Sequence, residues 1–366
     1  MRLHLRPLTL ALALAGLSAQ ASATDLVQAY DLARQSDPVF ATSEALKNAQ
    51  AEGVVQSRAA LLPQVTADIT YGHSQTSSSG NQVFAGNPTP LNSTYSESSS
   101  RSSGVNLRQS VFDFGNYTRL GASKARSRQA ESEFDSASDA LIVRVADAYF
   151  NVLTQIETLA SSRAEERSVK RQLDQADKRL EVGLAPITDV HEARARYDSA
   201  RAATILQATA LDDAYEALAE ITGQKLSSLR GLSTDFRPEN NDTKTIDEWV
   251  QTALDNNPDL RARTEALAAA EKDVGTARSA HYPVLSASAS YGDDANWGDS
   301  VRRSALPVGS SFGSQSTGPS YGITLSVPIF AGFGTQSRVR QALFQRDAAA
   351  DSLEQSKRSI MRTTRG

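Results

Sequence analysis

Four short stretches of the chain alternate apolar and polar residues with a period of two. In residues 64–71, Val65, Ala67, Ile69 and Tyr71 alternate with Gln64, Thr66, Asp68 and Thr70. Residues 285–291 set Leu285, Ala287, Ala289 and Tyr291 between serines. In residues 320–327, Tyr321, Ile323, Leu325 and Val327 alternate with small polar residues. The stretch 105–111 is weaker, because Gln109 interrupts Val105, Leu107 and Val111. Period two predicts β-strands with one apolar face. Strands are expected at about 64–73, 104–111, 284–292 and 320–327. Residues 74–103 contain eleven serines, and 292–319 are also rich in Gly and Ser. Both read as long polar loops.

The remaining chain has a helical period. From Asn116 to Val182 there is no proline, and within that span only Gly121 is a glycine. About 67 residues at 1.5 Å each make roughly 100 Å of helix. Phe134, Leu141, Val145, Ala148, Tyr149 and Val152 begin a series that continues through Ile156, Leu159, Val169, Leu173, Ala176 and Leu180. Steps of three, four and seven predict a coiled-coil seam. Shorter helices are expected from about Ala41 to Leu61 and from Thr188 to about Thr222, together matching the long one in length. The turn VGLAPITDV, 182–190, joins the long helix to its partner. Gly183 suits a helix stop, Pro186 a turn, and Thr188 or Asp189 an N-cap.

The pattern occurs twice. Pro38, Pro63, Ala67, Tyr71 and Gly72 recur 220 residues later as Pro258, Pro283, Ala287, Tyr291 and Gly292. GVNLRQSVFDFG at 104–115 has a counterpart in GITLSVPIFAGFG at 322–334. A long-period duplication sets the architecture. The expected division is a first repeat over 24–235 and an incomplete second repeat over 246–366. Each copy reads helix, strand, long loop, strand, helix.

The first residues change the picture. Arg2 and Arg6 precede an apolar run from Leu8 to Leu17, and Ala21-Ser22-Ala23 follows. This is a secretory signal, 1–23, with cleavage expected before Thr24. The run is shorter than the roughly 20 residues of a spanning helix. Any membrane crossing must therefore use strands. Removing Arg2 and Arg6 takes the formal net charge from −4 to −6, which argues against nucleic acid as a partner. There is no cysteine, hence neither a disulfide framework nor a lipoprotein anchor. His4, His73, His191 and His281 show no metal-ligand spacing, and no serine lies in a nucleophile elbow. The chain is not expected to be an enzyme, and no cofactor is implied.

One alternating strand fits a soluble sheet as well as a barrel. Four of them behind an export signal favour a transmembrane β-barrel, apolar to lipid and polar to the lumen. Four strands cannot close a barrel, and an open edge cannot sit in lipid. The chain must then oligomerise, and three copies supply twelve strands. The expected class is an α+β membrane protein: four barrel strands per chain, continued by long antiparallel coiled-coil helices.

The chain resembles the TolC family of outer-membrane efflux proteins across its whole mature length. The resemblance is carried by AYFNVL at 148–153, RQLDQADKRLEVGLAPITDVHEARARYD at 171–198, the strand entries LLPQV and HYPVL, and the exits SVFDFG and PIFAGFG. It implies a homotrimeric twelve-stranded barrel in outer-membrane lipid, set on an α-helical barrel in the periplasm. It implies an exit duct for type I secretion and tripartite efflux, linked by a periplasmic adaptor to an inner-membrane transporter. Gly183 and Leu184 match the adaptor-docking tip. Asp189, with Thr188 beside it, matches an aspartate that helps hold the periplasmic aperture closed. Relative to the family the second repeat reads as truncated at Gly366, without a counterpart of the VGLAPITDV turn. The competing reading is a trimeric coiled-coil adhesin or structural envelope protein with a barrel anchor. Such anchors place strands at one terminus, whereas here two strand pairs are interleaved with helices.

Overall fold

The computed structural model describes residues 23–84, 87–232, 236–237, 245–303 and 308–366. The expected signal segment up to residue 22 and the repeat boundary at 235 lie outside the described residues. In chain order the elements are α1 (Leu26–Ser36), α2 (Pro38–Ala59), β1 (Gln64–Phe84), β2 (Asn87–Phe112), α3 (Phe114–Glu181) and α4 (Ile187–Thr222). Then follow α5 (Ile246–Asn256), α6 (Pro258–Ser279), β3 (Val284–Arg303), β4 (Val308–Ser326) and α7 (Gly334–Arg365). The duplication is visible in these bounds. Leu26 and Ile246, Pro38 and Pro258, and Gln64 and Val284 open matching elements, each pair 220 residues apart. No described helix is long and apolar enough to cross a membrane.

The chain forms two compact units, and the second draws on both repeats. One comprises residues up to Lys47 together with Glu133–Gln251, the other Asn48–Ser132 with Thr252–Gly366. In the first unit, α1 packs against α4. Asp25 caps α1, accepting from the Gln28 N–H at 2.9 Å while Gln28 Oε1 accepts from the Asp25 N–H. That capping box satisfies two otherwise free donors. The predicted seam of α3 is buried: Leu141, Val145, Tyr149 and Val152 are at most 2 % exposed and cluster with Ala29, Ala33 and Leu218. The chain turns into α2 at Asp37, whose carboxylate accepts from the N–H groups of Val39 and Phe40 and pairs with Arg144 of α3. Phe40 stacks on Phe134, and the Lys47 ammonium lies over the outer ring.

In the second unit, β1-β2-β3-β4 form one antiparallel sheet in sequence order. Here the expected strand ends at 73, 104, 292 and 320 need correction. The supposed loops are mostly strand: β1 pairs with β2 from Gln64↔Arg108 to Phe84↔Asn87, and β3 with β4 from Val284↔Ser326 to Arg302↔Val308. Backbone pairing does not need apolar side chains, and a strand with two polar faces loses its alternation without losing its ladder. Ser74 and Ser98 instead meet hydroxyl to hydroxyl at 2.9 Å across that ladder. Gln109 breaks the apolar alternation for a local reason. Its amide donates to the Leu61 carbonyl at 2.9 Å and to the Ser110 carbonyl, tying β2 to the end of α2.

Helices brace the foot of the sheet within the same unit. α6 packs along α7, with Ser356 donating to Asp259 at 3.1 Å. Arg128 of α3 donates to Glu265 of α6 at 2.7 Å, and Arg126 pairs with Asp273. The ring of Phe114 meets that of Tyr282 edge-on at 5.3 Å. At the start of α7, Phe333 adopts φ 61°.

Candidate functional site: a helical turn and a two-faced sheet

The turn between α3 and α4 is built by Gly183 and Pro186. Gly183 has φ +74°, its N–H donates to the Leu180 carbonyl at 2.9 Å, and the Leu184 N–H donates back to Arg179 at 2.7 Å. This pair of bonds is the Schellman arrangement that closes a helix with a left-handed residue. A Cβ on Gly183 would meet nothing within 4 Å. Glycine is therefore required by the backbone angle, and no described part of this chain approaches it closely. Leu184 is 71 % exposed at the tip, flanked by exposed Val182 and Ile187, whereas Val190 is buried.

The capping expectation for Thr188 and Asp189 is corrected. Pro186 occupies the N-cap position in extended conformation, without a side-chain bond. The helix thus begins at Ile187, and Thr188 and Asp189 fall inside its first turn. The Asp189 N–H donates to the Pro186 carbonyl at 3.2 Å. Its carboxylate is placed where the helix dipole favours a negative charge. Both side chains are exposed, and among the described residues neither has a hydrogen-bond partner. The structure therefore brings Gly183, Leu184, Thr188 and Asp189 together on one projecting turn.

The sheet has two unlike faces. Cross-strand register places Val65, Leu107, Ala289 and Tyr321 in one row and Ala67, Val105, Tyr291 and Pro319 in the next, all on one face. Ile69, Tyr321 and Ile323 on that face are between 75 % and 88 % exposed. Free exposure of so many large apolar side chains marks a surface meant for lipid or another chain. The opposite face is polar: Gln64, Thr66, Asp68, Asn106, Arg108, Ser288 and Ser320. There Asn106 donates to Asp68, and Ser290 and Ser320 meet at 2.8 Å. β1 and β4 are the edges of the sheet within this chain. Among the described residues, no group of three or more His, Asp or Glu could hold a metal ion.

One feature of the apolar face escaped sequence reasoning. Arg101 donates to Asp293 at 2.8 Å, and Gln315 and Thr317 donate to the same carboxylate at 2.8 and 2.6 Å. These residues come from three strands in stretches that read as loops. Continuing the period-two count from Tyr291 to Asp293 would have placed that carboxylate on the apolar face.

A family model described as outer membrane efflux protein matches residues 29–224 and 249–366. Outer membrane protein TolC of Vibrio cholerae is 33% identical over 361 residues, covering 99% of this chain and 77% of the relative. Alkaline protease secretion protein AprF of Pseudomonas aeruginosa is 26% identical, over 94% of this chain and 69% of the relative. Among solved structures, the CmeC outer membrane channel of Campylobacter jejuni superposes with a TM-score of 0.69. That match covers 90% of this chain and 67% of the channel at 18% identity, so it speaks for the fold.

Proposed function

This chain belongs to the outer membrane efflux protein family and is an outer-membrane exit duct, and we propose that it performs that task as a homotrimer. The observation that carries the proposal is the open, two-faced sheet. Its lipid-type face cannot enter a bilayer while β1 and β4 leave their outer backbone groups unpaired. Pairing β4 of one copy with β1 of the next removes both edges. Two copies would give eight strands, a barrel about wide enough to be filled by side chains. Three copies give twelve strands around a polar lumen that carries Asp68, Asn106 and Arg108 among Ser, Thr and Gly. The interleaving of strand pairs with helices favours this reading over a terminal anchor for an adhesin.

The helical part then extends into the periplasm, since α3 alone measures roughly 100 Å at 1.5 Å per residue. We assign the tip residues Gly183 and Leu184 to adaptor docking, because an exposed apolar turn on a rigid hairpin fits a partner helix end. We assign Thr188 and Asp189 to the aperture, because both side chains are exposed, polar and without a partner among the described residues. The duct is passive, and an inner-membrane transporter joined through the adaptor supplies the energy. These assignments cover both type I secretion and tripartite efflux.

Insertion of the purified full-length protein into planar bilayers tests the proposal. Discrete conductance steps from a species that runs as a trimer in mild detergent are expected. A monomer that never conducts would overturn it.

A further inference from the structure

The strands are longer than a membrane requires. About 9–11 tilted residues cross the hydrocarbon of an outer membrane, whereas β1 runs Gln64–Phe84 and β3 runs Val284–Arg303. The lipid-type face changes character part of the way along. The rows of Val65 and of Val105 are apolar throughout. The next row toward the hairpin ends sets Ile69 beside Ser103, Asp293 and Thr317, and the one after sets Tyr71 beside Arg101 and Gln315. Beyond them the same face carries His73, Ser99 and Trp297, then Gln75, Glu97, Asp299 and Ser311, then Ser77, Tyr95 and Val301.

The break is built rather than gradual. Arg101, Gln315 and Thr317 all donate to Asp293, so three strands share one polar collar at one level. The ring of Tyr71, in the Arg101 row, stands 6.2 Å from that of Trp297 in the row beyond. Aromatic residues in this position mark the edge of the hydrocarbon in barrels. A shared charge network there fits the headgroup layer, where water and ions replace acyl chains. From Tyr71 to Phe84 the strand continues roughly 40 Å at about 3.3 Å per residue. A tilt of about 40° leaves roughly 30 Å of that along the barrel axis.

We propose that both hairpins stand above the outer-leaflet hydrocarbon, and that the face beyond the Arg101–Asp293 collar is a seat for the sugar and phosphate groups of the outer-leaflet glycolipid. This rests on the membrane placement of the sheet proposed above. The occupant is chosen by continuity: this surface prolongs the lipid-facing belt without a gap. Its chemistry suits sugar hydroxyls, which the Glu97 and Asp299 carboxylates can accept from, and confines phosphate to the edge at Arg101. Ser77, Ser99 and Ser311 offer hydroxyls, and the Tyr95 ring offers a flat apolar face to a sugar. Arg101 is half-exposed and uses one guanidinium nitrogen on Asp293. Its remaining donors sit at the level where lipid phosphates lie, in the planar geometry that suits them.

Residues 1–366 contain no cysteine, so single labels can be placed cleanly within them. Spin labels at Val105→Cys, Ser77→Cys and Ser311→Cys would be examined in the full-length trimer, in outer membranes with complete or truncated glycolipid cores. Collision with oxygen reports hydrocarbon, and collision with a polar nickel chelate reports water. Val105 should collide with oxygen and exclude nickel in both membranes. Ser77 and Ser311 should exclude oxygen in both, and their nickel collisions should rise several-fold when the core sugars are shortened. Oxygen collisions at Ser77 and Ser311 matching those at Val105 would overturn the proposal, because these sites would lie in hydrocarbon. Nickel collisions unaffected by core length would also overturn it, because no sugar would cover them. Val105 failing to reach oxygen would instead sink the barrel reading itself.

Discussion

The Tyr149 hydroxyl lies 2.6 Å from the carbonyl oxygen of Arg230 and 3.0 Å from that of Thr24. The two segments also pair with each other, as the Thr24 N–H donates to Ser228 at 3.0 Å and the Arg230 N–H to Thr24 at 2.9 Å. One buried side chain of α3 thus ties the segment before α1 to the segment after α4. Tyr149→Phe keeps the ring and loses the hydroxyl, so a loss of about 1 kcal/mol in urea unfolding is expected. Tyr149→Ala also empties a buried site and should cost about 3–5 kcal/mol. Burial raises the Tyr149 pKa, so its contribution is complete below the unfolded value near 10 and fades as pH rises through the folded one. Alkaline melts of Tyr149→Phe should lack that fading component.

Asp37 serves two masters, capping α2 and pairing with Arg144. Its carboxylate is 3 % exposed, whereas the Arg144 side chain is 35 % exposed. Arg144→Ala would leave a buried charge with only two backbone donors. Breaking a buried pair costs about 3–5 kcal/mol, and partial exposure of the arginine places this loss at about 3. Asp37→Asn should cost less, because the amide oxygen still caps. Thermal unfolding of the two variants checks the order, and equal losses would show that the charge left unpaired in Arg144→Ala adds no cost beyond the lost pair.

At the tip, backbone and side chain should separate. Gly183→Ala places a Cβ in open space but in a left-handed conformation, at a cost of about 1–2 kcal/mol. Leu184→Ser leaves the fold untouched and removes the exposed apolar contact. Cross-linking to the periplasmic adaptor in cells should fall several-fold for Leu184→Ser while trimer melting stays unchanged. Full cross-linking in that variant would remove Leu184 from the docking surface.

Asp189 is not the helix cap, which simplifies its test. Asp189→Ala forfeits a dipole interaction of about 0.3–1 kcal/mol and no side-chain contact among the described residues. An aperture is a two-state element, so a small bias shifts its population. Higher bilayer conductance and greater sensitivity to large antibiotics are expected, with trimer melting within a few degrees of the parent. Asp189→Asn should be milder. Conductance at the parent level in Asp189→Ala would end the gating assignment.

Gly298 lies opposite Ser98 in the β2–β3 ladder. A Cβ there would stand 2.1 Å from the Glu97 carbonyl oxygen, which is backbone and cannot swing aside. Gly298→Ala should therefore shift the register or part the ladder, lowering trimer yield and melting temperature. Gly72→Ala meets only the Ser100 hydroxyl, which can rotate away, and should be tolerated. Heat-modifiable mobility on gels reads both.

Periodicity by itself determined which faces are apolar and which residues fill the α3 seam. Leu141, Val145, Tyr149 and Val152 followed from steps of three and four, because burial of a helical stripe needs that spacing. The duplication likewise announced matching elements around Pro38 and Pro258, although the first helix, expected from about Ala41, opens at Pro38 itself. The long strands were not legible. Ser74–Ser79 and Ser93–Ser98 have no apolar alternation, and only pairing with each other makes them strand, a contact between residues distant in sequence. The Asp293 collar was hidden for the same reason, because Arg101 and Asp293 meet only once β2 and β3 are in register. At the turn, Gly183 was readable from its backbone demand, whereas Thr188 and Asp189 also suited a cap. Geometry decided that point: Pro186 set the helix start at Ile187 and left both side chains free for another chain.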